Sequence, residues 1–194
     1  MIQPMRLPLI PVLFTRRKVV SDTFTRADNA ASLGNAETGQ AWEVLSGTWG
    51  ISSNRAYIAS TSGGRDIAVV DSGFADVTIG LTLPVVATSA RLIFRLTDAS
   101  NHFIFTVITA SNNYTLSRIQ AGTATVVGSY TKIPANGDFI KVTLRGNQII
   151  CYVNGLEVIR VTETFNLTAT KHGMGANNAS AGNIRFEQFY IEVS

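Results

Sequence analysis

The chain has 194 residues, 45% of them apolar and only 15% charged, with one cysteine and a formal net charge of +3. That length and apolar content suit a single domain with a packed core and exclude a disordered or coiled-coil chain. One cysteine excludes an intramolecular disulfide framework, and so few charges leave the surface to Ser, Thr, Asn and Gly.

The charge is unevenly placed. Arg6, Arg16, Arg17 and Lys18 all precede the first acid, Asp22, and without these four 12 basic residues face 13 acidic ones. The basicity belongs to residues 1–20, and the rest of the chain is close to neutral. Within that opening segment Pro4, Pro8 and Pro11 remove backbone donors and bias their neighbours to extended conformations, which excludes a helix. The prolines also interrupt what would be the apolar run of a secretory signal, and the main charge cluster follows that run instead of preceding it. Residues 7–14 are too few to span a bilayer. No signal peptide, transmembrane segment or membrane partner is therefore expected. The expectation is an extended arm, residues 1–20, that docks on a neighbouring subunit. Leu7, Leu9, Ile10, Val12, Leu13 and Phe14 would bring apolar contacts, and Arg16, Arg17 and Lys18 charge. The alternative is an arm folded over its own domain. Three basic residues without interleaved aromatics do not make a nucleic-acid site.

Residues 22–24 (Asp-Thr-Phe) read as a short strand, followed by a polar loop containing Gly34 and Gly39. Trp42 and Trp49 come next, with Ser46-Gly47 between them as a tight turn joining two strands. Residues 60–64 (Ser-Thr-Ser-Gly-Gly) form a turn before a strand at 66–70. Residues 74–83 alternate Val77, Ile79, Leu81 and Leu83 with Asp76, Thr78, Gly80 and Thr82, and Pro84 ends the run. The strand at 90–97 sets Leu92, Phe94 and Leu96 against Arg91, Ile93 and Arg95, and that at 102–110 sets Phe103, Phe105 and Val107 on one face. The Ala-Ser-Asn triplets at 99–101 and 110–112 mark successive hairpin turns. Strands at 114–121 and 125–130 meet at Gly122, and a three-strand meander follows from Asp138, turning at Gly146-Asn147 and Asn154-Gly155. Asn-Gly is the strongest hairpin signal in the chain, because both central positions of a type I′ turn need positive φ. A last strand runs over 183–193. About a dozen short strands and no helix describe a sandwich or jelly roll.

Several motifs share one pattern: Asp22-Thr-Phe24, Trp42-Glu-Val44, Gly47-Thr-Trp-Gly-Ile51, His172-Gly-Met-Gly175 and Arg185-Phe-Glu-Gln-Phe-Tyr190. Over roughly residues 21–193 it resembles the concanavalin A-like, laminin-G-like jelly-roll domains of bacteriophage tail and other virion proteins. The resemblance implies an all-β antiparallel sandwich at 21–194, with the first strand beside the last and both tryptophans between the sheets. It also implies a particle location, capsid or tail. Members of this family often hold a structural calcium near the first and last strands, where Asp22 stands here. Many relatives carry Arg-Phe-Asp-Asn-Phe near the end, whereas this chain has Glu187 and Gln188, whose longer side chains place their oxygens differently. No metal or cofactor is expected.

Catalytic patterns are absent from the sequence. Retaining glycoside hydrolysis needs two carboxylates about 5 Å apart across one bond, but Glu157 and Glu163 stand alone. Glu187 and Glu192 are separated by an odd offset that sends them to opposite faces of a strand. Two histidines are too few for a histidine-rich metal site, and there is no G-x-S-x-G elbow or phosphate loop. Cys151, in an apolar strand, reads as a small buried hydrophobe. An enzyme is not expected. Carbohydrate binding needs aromatic faces with nearby amides. A sugar site would lie at the 111–114 turn and the 177–180 loop, on Asn112, Asn113, Tyr114, Asn177 and Asn178. The first expectation is thus a non-catalytic virion structural or attachment protein, oligomeric or bound to other virion proteins through its arm. The alternative is a carbohydrate-binding module for host cell-surface glycans.

Overall fold

A computed structural model describes residues 16–177 and 183–193. The period-2 alternation of the sequence becomes fifteen antiparallel strands in two sheets. The larger sheet holds β1 (Arg17–Asp22), β3 (Thr48–Ser52), β4 (Arg55–Ser60), β6 (Thr78–Val85), β11 (Asp138–Arg145), β12 (Gln148–Val153), β13 (Leu156–Thr162) and β15 (Arg185–Val193). Its order is β13-β12-β11-β6-β15-β4-β3, with β1 also on β15. The smaller sheet holds β2 (Glu43–Ser46), β5 (Arg65–Asp71), β7 (Arg91–Asp98), β8 (Asn101–Ile108), β9 (Asn113–Gln120), β10 (Thr123–Thr131) and β14 (Lys171–Asn177). Its order is β10-β9-β8-β7-β14-β5-β2. The one helical turn among the described residues is a 3-10 turn at Thr109–Ser111.

The inward faces bury one continuous core, including Trp49, Phe94, Phe103, Phe105, Ile140, Val142, Leu144, Phe186 and Phe189. Both tryptophans lie in it. Trp42 packs on Phe24 and Phe189, and Trp49 on Phe186, at ring separations of 5.0 to 5.8 Å. The Asn154-Gly155 hairpin forms between β12 and β13, with both residues at positive φ as a type I′ turn requires.

The structure changes or refines several sequence expectations. Residues 17–20 do not belong to an arm: β1 begins at Arg17 and pairs with β15, from Arg17 opposite Val193 to Asp22 opposite Phe189. Arg17 and Lys18 are therefore sheet residues, Arg16 is exposed just before them, and Val20 is core. Leu7, Leu9, Ile10, Val12, Leu13 and Phe14 lie outside the described residues. Second, the tight turn at Ser46-Gly47 does join two strands, and it is a corner between sheets, because β2 pairs with β5 in one sheet and β3 with β4 in the other. Third, residues 74–77 form a turn, with Ser72 Oγ accepting from the Phe74 amide, and the strand runs on through Pro84. Pro84 sits at a bulge in the β15 ladder, where its missing N–H costs no bond.

Fourth, the alternation expected over 90–97 breaks at Arg95. Its φ of +49° interrupts β7, its guanidinium is buried, and Nη2 donates to the Gly146 carbonyl at 2.5 Å and to Asp76 at 3.2 Å. The irregularity turns Leu96 out of the main core and into a second apolar cluster with Ile67, Val69, Ile93, Ile104 and Ile119. Finally, residues 171–177, noted for their glycines, are a central strand, β14.

Candidate functional site

The second cluster shows that the outer face of the smaller sheet is not an ordinary wet face. Pleating sends Phe103, Phe105 and Val107 of β8 and Tyr114 and Leu116 of β9 into the core. Their neighbours Ile104, Thr106, Ile108, Thr115, Ser117 and Ile119 point outward, and most of these are nevertheless buried. On a flat solvated sheet they would be exposed. They form instead the floor of a groove of about 360 Å³. Ala124 and Val126 of β10 flank it on one side, and Arg65 of β5 and Asn177 of β14 on the other. Arg65 reaches across to donate from Nη2 to the Gly122 carbonyl, in the β9–β10 turn, at 2.9 Å.

Register fixes the chemistry of the floor. Arg91 of β7 stands opposite Thr106 of β8, which stands opposite Thr115 of β9. Arg91 is only 3% exposed, and Nε donates to the Ser89 carbonyl at 3.0 Å. Burial, reinforced by the nearby Arg65 charge and opposed by Asp66, pulls its pKa down to about 10, so it remains a cation at neutral pH. Thr106 Oγ1 is buried without a hydrogen-bond partner. Thr88, Ser89 and Ser117 add hydroxyls, and Ile104, Ile108 and Ile119 add apolar surface. Among the described residues two arginines line the groove, with no carboxylate and no aromatic ring.

Of the expected sugar-site residues, the structure brings only Asn177 to the groove. Asn178 lies outside the described residues. Asn112 takes a left-handed conformation that closes the 3-10 turn, and Asn113 opens β9 opposite Ile108, in the last row of the floor but outside the groove's lining. Tyr114 cannot stack on a sugar. It faces the core, is fully buried, and its hydroxyl donates to Asp138. Burial first, and then Asp138, pushes that hydroxyl far above its ordinary pKa. Sequence reasoning missed Arg65, Arg91, Thr106, Thr115 and Ser117. The alternation of Thr115, Ser117 and Ile119 with Tyr114 and Leu116 carried a trace of the face.

The calcium position of the resemblance does not fit an ion. Asp22 is buried, and its carboxylate already accepts from the Phe24 amide at 2.8 Å, Trp42 Nε1 at 2.8 Å and Arg26 at 2.7 Å. Glu187 faces Arg55 at 3.1 Å. Among the described residues no three His, Cys, Asp or Glu side chains cluster as metal ligands. Cys151 is wholly buried, which raises its thiol pKa, so it packs as expected. No described helix is long and apolar enough to cross a membrane. A second depression, of about 290 Å³, lies on the larger sheet beside Lys18, Phe139 and Tyr190. There the two rings stack 6.1 Å apart over Gly80.

No family model matches the sequence, and neither does any curated protein. Solved structures do match the fold. The carbohydrate binding module CBM66 from Bacillus subtilis superposes with a TM-score of 0.63 at 17% identity, over 79% of this chain and 95% of that one. Domain 4 of AbnA, an extracellular GH43 arabinanase from Geobacillus stearothermophilus solved with arabinotriose, gives 0.60 at 11% identity, over 91% and 92%. The exoplasmic domain of VIP36, in its calcium- and mannose-bound form, gives 0.57 at 9% identity, over 80% and 84%. The chain has an antiparallel two-sheet jelly-roll sandwich, a fold it shares with these structures.

Proposed function

We propose that this chain is a non-catalytic carbohydrate-binding module that takes its glycan in the outer groove of the smaller sheet. The observation that carries this reading is the groove itself: a cleft of about 360 Å³ whose floor sets hydroxyl groups and a buried arginine beside isoleucines. A few placed donors on a largely apolar lining is the general character of small-ligand sites, and here hydroxyls and an arginine take the part that the sequence reading gave to aromatic faces. The carbohydrate-binding neighbours favour this over the virion-structural reading, which rests on sequence resemblance alone. Those neighbours lend support by analogy of fold, and the chemistry of the groove comes from this chain's own residues.

The test is a glycan array of neutral and acidic saccharides probed with the full chain, repeated with Val126→Trp and Tyr190→Ala. Val126 is 61% exposed on the groove rim, so an indole there blocks the groove without disturbing the core. Binding is expected in the parent and in Tyr190→Ala, with at least a tenfold loss in Val126→Trp. Binding lost in Tyr190→Ala and kept in Val126→Trp moves the site to the larger sheet. No binding in any form ends the reading.

A further inference from the structure

Resting on that reading, we infer that the groove's ligand is an acidic glycan, with a carboxylate seated against Arg91. Three independent observations converge on it. The first is charge. Arg65 and Arg91 both reach the groove, close enough for the Arg65 charge to oppose that of Arg91, and no described lining residue is acidic. Asp66 supports Arg91 electrostatically, but neither Arg91 nor Arg65 has an ion-pair partner among the described residues. Asp66 also belongs to the opposite face of β5, where Oδ1 accepts from the Ser62 amide.

The second is unmet hydrogen bonding. Among the described residues the Arg91 side chain donates only from Nε, which leaves both terminal nitrogens to the groove. Thr106, directly opposite in register, is 6% exposed, and its buried hydroxyl has no partner. Buried polar groups in folded proteins are almost always satisfied, and an orphan in a cleft points to a missing acceptor or donor. A planar carboxylate matches the guanidinium fork and can accept from the hydroxyl beside it. The third is the absence of aromatic rings from the described lining. Ring stacking, the usual source of affinity for neutral sugars, has no platform there, so charge-assisted hydrogen bonds carry recognition.

The test is titration calorimetry of the full chain with oligogalacturonate and sialyllactose, each beside its neutral counterpart, carboxyl-reduced oligogalacturonate and lactose. At least one acid is expected to bind at least tenfold more tightly than its counterpart, and to weaken as salt rises from 50 to 300 mM. Rim charge supplies a readout that does not touch the buried arginine: Val126→Glu should weaken the acid and Val126→Lys strengthen it, each by about threefold or more, while Arg91→Gln abolishes the preference. Equal or tighter binding of the neutral partners overturns the acidic class and leaves the glycan reading intact. No saccharide binding at all, with the parent folded by far-UV circular dichroism, overturns both.

Discussion

At the scale of single residues, the chain buries two histidines, His102 and His172, and neither is a site residue. His172 is held in one tautomer: Nδ1 accepts from the Arg95 amide at 3.2 Å, and Nε2 donates to the Phe74 carbonyl at 2.9 Å. A second proton on Nδ1 would destroy the first bond and bring charge into the core. Burial is accordingly the main reason that both imidazoles fall to a pKa of about 4 in the fold, against an unfolded value near 6.5. The unfolded chain therefore binds more protons between those values, so stability rises with pH across the window. It is fully present above about pH 6.5 and is lost on the way down to about 4, by on the order of 3 kcal/mol for each histidine. Carboxylates with lowered pKa values, such as Asp138, whose hydrogen bonds from Tyr114, Ala135, Lys132 and Asn154 outweigh the opposing effect of burial, act in a lower window. Urea midpoints measured from pH 7.5 to 4.5 should fall on acidification. In His172→Gln, whose amide can reproduce both bonds without titrating, the fall should be about half as large. A midpoint that stays level in the parent would contradict the burial of both rings.

At the scale of elements, legibility followed the strength of local signals. The meander of β11, β12 and β13 was readable almost to the residue, because alternation and Asn154-Gly155 specify both faces and turn. The corner at Ser46-Gly47 was half readable. A glycine at positive φ announces a change of direction, but whether the chain returns in its own sheet or crosses to the other depends on partners far away in sequence. Arg95 gave no warning, since nothing local marks an arginine for a left-handed backbone and a buried seat. The most instructive miss is β14. Gly173 and Gly175 occupy its outward positions, so the alternation of side chains that announces a strand is erased there. The glycines answer a packing demand. A Cβ on Gly173 would stand 2.1 Å from the Ala68 carbonyl oxygen and 2.6 Å from the Val69 Cα, backbone atoms of β5 that cannot move without breaking the sheet. Gly173→Ala should therefore cost more than about 3 kcal/mol, against roughly 0.5 kcal/mol or less for an exposed surface substitution such as Thr123→Ala. Thermal unfolding of the two variants decides it, and a Gly173→Ala protein as stable as its parent would refute the close approach of β14 and β5.

At the scale of the whole molecule, what sequence could not supply was adjacency across strands. Arg91, Thr106 and Thr115 become one row only when β7, β8 and β9 pair in their particular register, and Arg65 joins them only because β5 lies beyond β14. The same kind of long-range pairing relocates the start of the domain. A boundary at residue 21 is reasonable on composition, because basic and apolar residues end there. The structure gives residues 17–20 to β15. That last strand spends one edge on β6 along nearly its whole length, and divides the other between β4, at Arg185 and Phe186, and β1, from Phe189 onward. β1 is thus the only described partner for the second half of that edge. Val20 is fully buried, and β1 hands on to Asp22, which anchors Trp42. A chain beginning at Ser21 loses the Val20 side chain, about 2 kcal/mol by burial, and most of the β1 ladder. It also leaves an unpaired strand edge on β15 that invites association between copies. A chain beginning at Arg16 keeps all of this. The shorter form should unfold at least 5 °C lower and show concentration-dependent mass in light scattering. Matching thermal midpoints for the two forms would mean that β1 contributes nothing to the sheet it completes.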